Sequence, residues 1–136
     1  MKKYLKKHWI KITLVSITLP ILAFGALCFI IGSSVKGAVS NAQSSYSGDP
    51  VTALIQVATS ENTGISERNR AIWALGQLGS SRAMPALQSL YTGEPCDHKK
   101  LICQHEVEKA IQGCGEGLNI GAVFWRHGEL ALNDRD

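Results

Sequence analysis

The chain has 136 residues, room for one small domain plus an appendage, and a formal net charge of +3. That charge is segregated: Lys2, Lys3, Lys6, Lys7, Lys11 and Lys36 are six of the fourteen Lys and Arg, and every acidic residue lies at or beyond Asp49. Beyond Lys36, eight basic residues stand against eleven acidic ones, so the folded part is mildly acidic and the composition argues against nucleic-acid binding.

Residues 12–31, ITLVSITLPILAFGALCFII, carry no charge, and twelve of the twenty are Ile, Leu, Val or Phe. Twenty helical residues cover about 30 Å, the thickness of a bilayer's hydrocarbon core. Pro20 is tolerated in such a helix, and Tyr4 and Trp9 suit the interface. A cleaved signal would have an apolar core of about 7–15 residues ending at a small-x-small site. Here the core is longer, and the best candidate site, Ser40-Asn41-Ala42, lies well past it. Gly25-Ala26-Leu27 before Cys28 lacks the pattern of a lipoprotein signal. The expectation is an uncleaved anchor over 12–32, in contact with membrane lipid, behind a basic tail at 1–11. Five lysines before the span and only Lys36 just after it place the N-terminus in the cytoplasm. The remainder would then lie outside.

Residues 33–48 are small and polar and read as a stalk, helical at most near the membrane. A helical domain is expected over 49–127, followed by a polar tail at 128–136. Asp49-Pro50 opens its first helix as N-cap and first helical residue, with Leu54, Val57 and Ala58 inward. After a loop at 61–65, Ser66 is placed to cap a second helix. Ile72, Leu75 and Leu78 recur on it at steps of three, and Gly79 can take the left-handed conformation that closes it. Pro85 sits in the first turn of a third helix bearing Met84, Leu87 and Leu90. An irregular stretch, 92–100, is broken by Pro95. A fourth helix over 101–113 carries Ile102, Val107, Ala110 and Ile111. The Gly113-x-Gly115-x-Gly117 run has no strand before it and ends that helix. Asn119 can cap a short last one in which Leu118, Ile120, Val123, Phe124 and Trp125 fold back as a cover.

The chain also repeats itself. Ala53-Leu54 corresponds to Ala86-Leu87, and Arg70-Ala71-Ile72 to Lys109-Ala110-Ile111, which sets Gly76 opposite Gly115 and Leu75 opposite Cys114. About six residues are inserted before the fourth helix. The run RNRAIWALGQLGSSRAMPAL resembles the HEAT-like repeat, the short bacterial kind first recognised in phycobilisome-lyase-related proteins. There an R-x-x-A-x-x-A-L-G-x-L-G stretch precedes a P-A-L helix. The resemblance is specific over 66–91, weaker over 49–59 and degenerate over 101–115. It implies a short α-solenoid of about two helical hairpins, so that with the apolar span the whole is expected to be an all-α chain: a single transmembrane helix followed by that solenoid. Its core would be Leu54, Ile72, Leu75, Leu78, Leu87, Leu90, Ala110 and Ile111. It also implies binding of another protein, a second copy of the chain included, and brings no catalytic residue or cofactor; a lyase activity does not follow from it.

Cys28 lies in the span as a lipid-facing or packing residue. Cys96, Cys103 and Cys114 belong to the exported part, where oxidation is permitted. Cys103 and Cys114 stand about 16 Å apart on one helix, too far to bridge. Cys114, at a core position of the repeat, reads as a buried thiol. Cys96 and Cys103 bracket the insertion. A bridge between them would close a loop of eight residues, worth roughly 2.5 kcal/mol in the chain-entropy picture. Cys96–Cys114 and no bridge at all are the alternatives. A metal- or redox-responsive sensor is the competing reading, because Cys96-x-His98 and Cys103-x-His105 offer four zinc ligands in an unfamiliar spacing. His105-Glu106 begins an H-E-x-x-H pattern, but Lys109 takes the second histidine's place. His8 and His127 are lone histidines. Arg68, Arg70, Glu67, Glu106 and Glu108 read as solvated charges, and Trp73 as core. No nucleophile is paired with an oriented base, so a non-catalytic module is expected.

Overall fold

A computed structural model of the chain describes residues 2–96 and 101–115. The expected closing helix with Phe124 and Trp125, the polar tail, His98 and His127 lie outside the described residues. Among those described, the structure is all helical. α1 runs Lys2–Ser45, α2 Pro50–Thr59, α3 Ile65–Leu78, α4 Met84–Leu90 and α5 Gln104–Cys114, with a 3-10 turn, Ser81–Ala83, leading into α4.

α1 is one unbroken helix of 44 residues, about 66 Å long. Over residues 12–31 it is apolar on every side: Ile12, Leu14, Val15, Ile17, Leu19 and Ile21 are all exposed. A helix apolar all round needs a nonpolar surrounding, and this one is long and apolar enough to cross a membrane. Its two threonine hydroxyls are satisfied internally, Thr13 Oγ1 donating to the Trp9 carbonyl at 2.7 Å and Thr18 Oγ1 to that of Leu14 at 2.9 Å.

The segment read as a stalk departs from that expectation. Residues 33–45 continue α1, and Val35, Ala38, Val39 and Ala42 are buried against α2 and α3. Steps of three and four put these small apolar residues on one stripe while Ser, Asn and Gln face solvent. The free face of α2 is thereby covered by the chain itself. The helix that leaves the apolar span is also the first helix of the repeat stack.

α2 starts as its sequence requires. Asp49 is extended and its carboxylate accepts the Thr52 amide at 3.1 Å, with Pro50 in the first turn. α3 begins one residue before Ser66: Gly64 is its N-cap and provides no side-chain bond, so Ser66 is not the cap. Gly79 closes α3 at φ 67°, its amide bonded to the Leu75 carbonyl at 2.9 Å. α5 begins at Gln104, three residues later than expected, with Cys103 as N-cap.

The core is continuous from Val35 to Cys114. Leu54, Ile72, Leu75, Leu78, Leu87 and Ala110 are buried, and Leu90 and Ile111 pack at its margin. Each fully buried Leu or Ile contributes about 1.5–3 kcal/mol. Glycine sets how closely α3 and α5 meet. A Cβ on Gly76 would lie 2.7 Å from Ala110 Cα, and one on Gly113 would lie 2.5 Å from the Gly76 carbonyl oxygen. Gly76 is therefore a contact surface between α3 and α5. Cys114 is buried beside it, its Sγ donating to the Leu75 carbonyl at 3.4 Å, as expected of a core thiol.

Candidate functional site

The chain departs most from its own repeat between α4 and α5, and the structure organises that insertion around Gln104. The Gln104 side chain is turned inward from the first residue of α5 and is buried. Its Oε1 accepts the Thr92 amide at 2.7 Å and the Gly93 amide at 3.3 Å. Its Nε2 donates to the Leu90 carbonyl at 3.2 Å. One side chain thus replaces the hydrogen bonds that the end of α4 and the residues just after it would otherwise take from water. Gly93, at φ 73°, makes the turn that a residue with a Cβ would resist.

Asn69 holds the other side. Its Oδ1 accepts the Cys103 amide at 2.9 Å, fixing the start of α5 on α3. Arg68, read from the sequence as a solvated charge, is half-buried, and its Nε donates to the Ala58 carbonyl at 2.9 Å. It caps the C-terminal turn of α2 from the next helix. Neither polar role was legible from composition. The arginine opening the R-x-x-A pattern was the available signal for Arg68, and Asn69 had none.

These contacts bring Cys96 to Cys103. The two are free thiols with sulfurs 3.0 Å apart, Cys96 exposed and Cys103 buried. The His105 amide donates to Cys96 Sγ at 3.2 Å, so this sulfur faces the amide-rich start of α5. The hydrogen bond from Cys103, then that from the His105 amide, holds the Cys96 thiol below its ordinary pKa, against partial opposition from Glu106. Burial, and then the same sulfur–sulfur hydrogen bond, pushes Cys103 up. The sequence had placed the two cysteines at one end of the hairpin; their unequal environments depend on where α5 begins. The alternative four-ligand set is not assembled in what is described. No three His, Cys, Asp or Glu side chains among the described residues come together to hold a metal, and His98 is outside them.

Among the described residues, two open grooves flank the stack. One, of about 350 Å³, runs beside the insertion and is lined by Arg68, Leu90, Glu94, Pro95, Leu101 and Ile102. The other, of about 220 Å³, lies where α1 meets α2 and α3, with Asn41, Ser66, Glu67 and Arg70 on its rim. At the far end Arg82 bonds to Asp49 at 2.7 Å and to Thr52 Oγ1 at 3.2 Å, joining the 3-10 turn to the start of α2. Burial alone would raise the Asp49 pKa, but the bonds from Arg82 and Thr52 outweigh it and hold the carboxyl below its usual value.

Stacked helical hairpins with apolar cores and a glycine crossing define a helical repeat protein. Residues 67–92 match the PBS lyase HEAT-like repeat, so the chain carries one such repeat, made of α3, the 3-10 turn and α4. No curated protein and no solved structure matches the chain.

Proposed function

We propose that this chain is a membrane-anchored HEAT-like repeat module that docks another protein, acting as a non-catalytic scaffold or adaptor on the outer face of a bacterial inner membrane. The HEAT-like repeat at 67–92, stacked directly on the helix that carries the apolar span, is the observation behind it. Repeats of this kind present helix faces and inter-helix grooves, and the two grooves here have mixed polar and apolar rims suited to a polypeptide. Only three residues lie between Ile31, at the end of the apolar stretch, and Val35 in the repeat core, a rise of four helical steps. About 6 Å of helix therefore joins the membrane to the domain, and the docked protein would lie close to the bilayer. The lysines before the span set the orientation, and the outer compartment permits a Cys96–Cys103 disulfide.

A photo-crosslinking amino acid at Arg70 and, separately, at Ser89 would test this in intact cells. One dominant protein adduct, or a dimer of the chain, is expected at one of these positions and absent at Gln56 on α2. Capture of the same abundant membrane proteins from all three positions would refute it.

A further inference from the structure

A docking module has no need of two thiols 3.0 Å apart in opposite environments. Thiol–disulfide exchange needs such a pair: an attacking thiolate that a substrate can reach, and a second thiol behind it that resolves the mixed disulfide. Cys96 is on the surface, and Cys103 is 1% exposed. The Cys96 sulfur receives the His105 amide, and a thiolate there gains from the helix start beneath it. Cys103 is fixed through its amide to Asn69, while Gln104 fixes Thr92 and Gly93, so both ends of the insertion are held before any bond forms. The sulfurs stand only about 1 Å beyond bonding distance. The groove lined by Leu90, Pro95, Leu101 and Ile102 runs alongside the insertion and offers room for groups flanking an incoming disulfide.

We propose that Cys96 and Cys103 form a thiol–disulfide exchange pair whose substrate is an exposed disulfide, with Cys96 attacking and Cys103 resolving. The Cys96 thiolate attacks one sulfur of a disulfide RSSR. A Cys96–SR bond forms, the S–S bond of RSSR breaks, and RS⁻ leaves with the electron pair and takes the proton that Cys96 had given to solvent. Cys103 then yields its proton and attacks Cys96 Sγ. The Cys96–Cys103 bond forms, and the second RS⁻ departs and collects that proton. Two electrons pass from the two cysteines to RSSR, giving two RSH; excess thiol reverses the sequence. This activity goes beyond the docking role and stands without it, since its failure would leave the crosslinking outcome unchanged.

The full chain, reduced in detergent micelles, is treated with glutathione disulfide and followed by intact mass and peptide mapping. Wild type is expected to end with an internal Cys96–Cys103 bond and no retained glutathione, while Cys28 and Cys114 stay reduced. Cys103→Ser should accumulate glutathione on Cys96. Cys96→Ser should react at least about tenfold more slowly, because only the buried thiol remains of the pair. Cys103→Ala repeats the trapping should serine at this buried site disturb folding. A second arm, with a disulfide-bonded peptide as oxidant, assigns the source: the faster substrate per mole is the one the groove accommodates. Glutathione retained on the wild type, equal rates for Cys96→Ser and Cys103→Ser, or reaction in neither arm would overturn the proposal.

Discussion

Asp49 accepts the Thr52 amide as the N-cap of α2 and pairs with Arg82 at 2.7 Å, so its removal unties two elements. Losing an N-cap costs about 0.5–2 kcal/mol, whereas an ion pair as exposed as this one adds only about 0–1. Asp49→Ala should therefore lower stability in urea by about 1–2 kcal/mol at neutral pH, and Arg82→Ala by less than half of that. The carboxyl pKa is depressed in the folded chain. Its contribution is therefore complete above the unfolded value of about 4 and is lost as pH falls through the lower folded value. The wild type and Asp49→Ala should converge only below that range. Gly76 tests packing in the opposite way from propensity. In a free helix Ala is favoured over Gly by about 1 kcal/mol, but a Cβ here would press on Ala110 backbone at 2.7 Å. Gly76→Ala should destabilise by about 1–3 kcal/mol as α3 and α5 part. Gly37→Ala on α1, where a Cβ meets nothing within 4 Å, should be neutral or stabilising by up to about 1 kcal/mol. Equal effects at the two glycines would show that the crossing is not as close as described.

The elements were legible in proportion to the strength of their side-chain signal. α2 to α5 follow from large apolar residues at helical spacing and from the Asp49, Pro50, Gly79 and Pro85 signals, and the repeat fixed their pairing. The end of α1 escaped because its buried stripe is made of Val35, Ala38, Val39 and Ala42, too small and too scattered among Ser, Gly and Asn to shift the composition of a linker. The Cys96–Cys103 approach was legible from the insertion's ends, but Gln104 was not, since a buried amide binding backbone looks in sequence like any surface glutamine. The end of α1 carries its own prediction. Two buried valines alone are worth about 3–6 kcal/mol, a large share of the 5–15 typical of a whole domain. A fragment of residues 47–136 should unfold at markedly lower urea than one of residues 33–136, or fail to fold. In the full chain, amides 38–45 should exchange as slowly as those of α2. Equal stability of the two fragments would restore the flexible stalk.

At the scale of the whole molecule, one helix carries both the apolar span and the first layer of the repeat stack, so under the proposed anchoring whatever sets the direction of α1 also decides which side of the bilayer holds Cys96 and both grooves. The residues beyond Lys36 carry eleven acidic side chains against eight basic ones and cannot direct the domain inward by positive charge; under the proposed anchoring the decision rests on Lys2, Lys3, Lys6, Lys7 and Lys11 against Lys36. Replacing those five lysines by Gln should leave the span apolar enough to insert while removing its bias, so a substantial fraction of chains would adopt the inverted orientation. Cys96 is the built-in reporter, being exposed where Cys103 and Cys114 are buried. After mild reduction of intact spheroplasts, a membrane-impermeant maleimide should label Cys96 in the wild type without permeabilisation. In the Gln variant a matching fraction should become labelled only after permeabilisation. Labelling of the wild type that required permeabilisation would reverse the assigned orientation, and with it the compartment in which a disulfide at Cys96 could form.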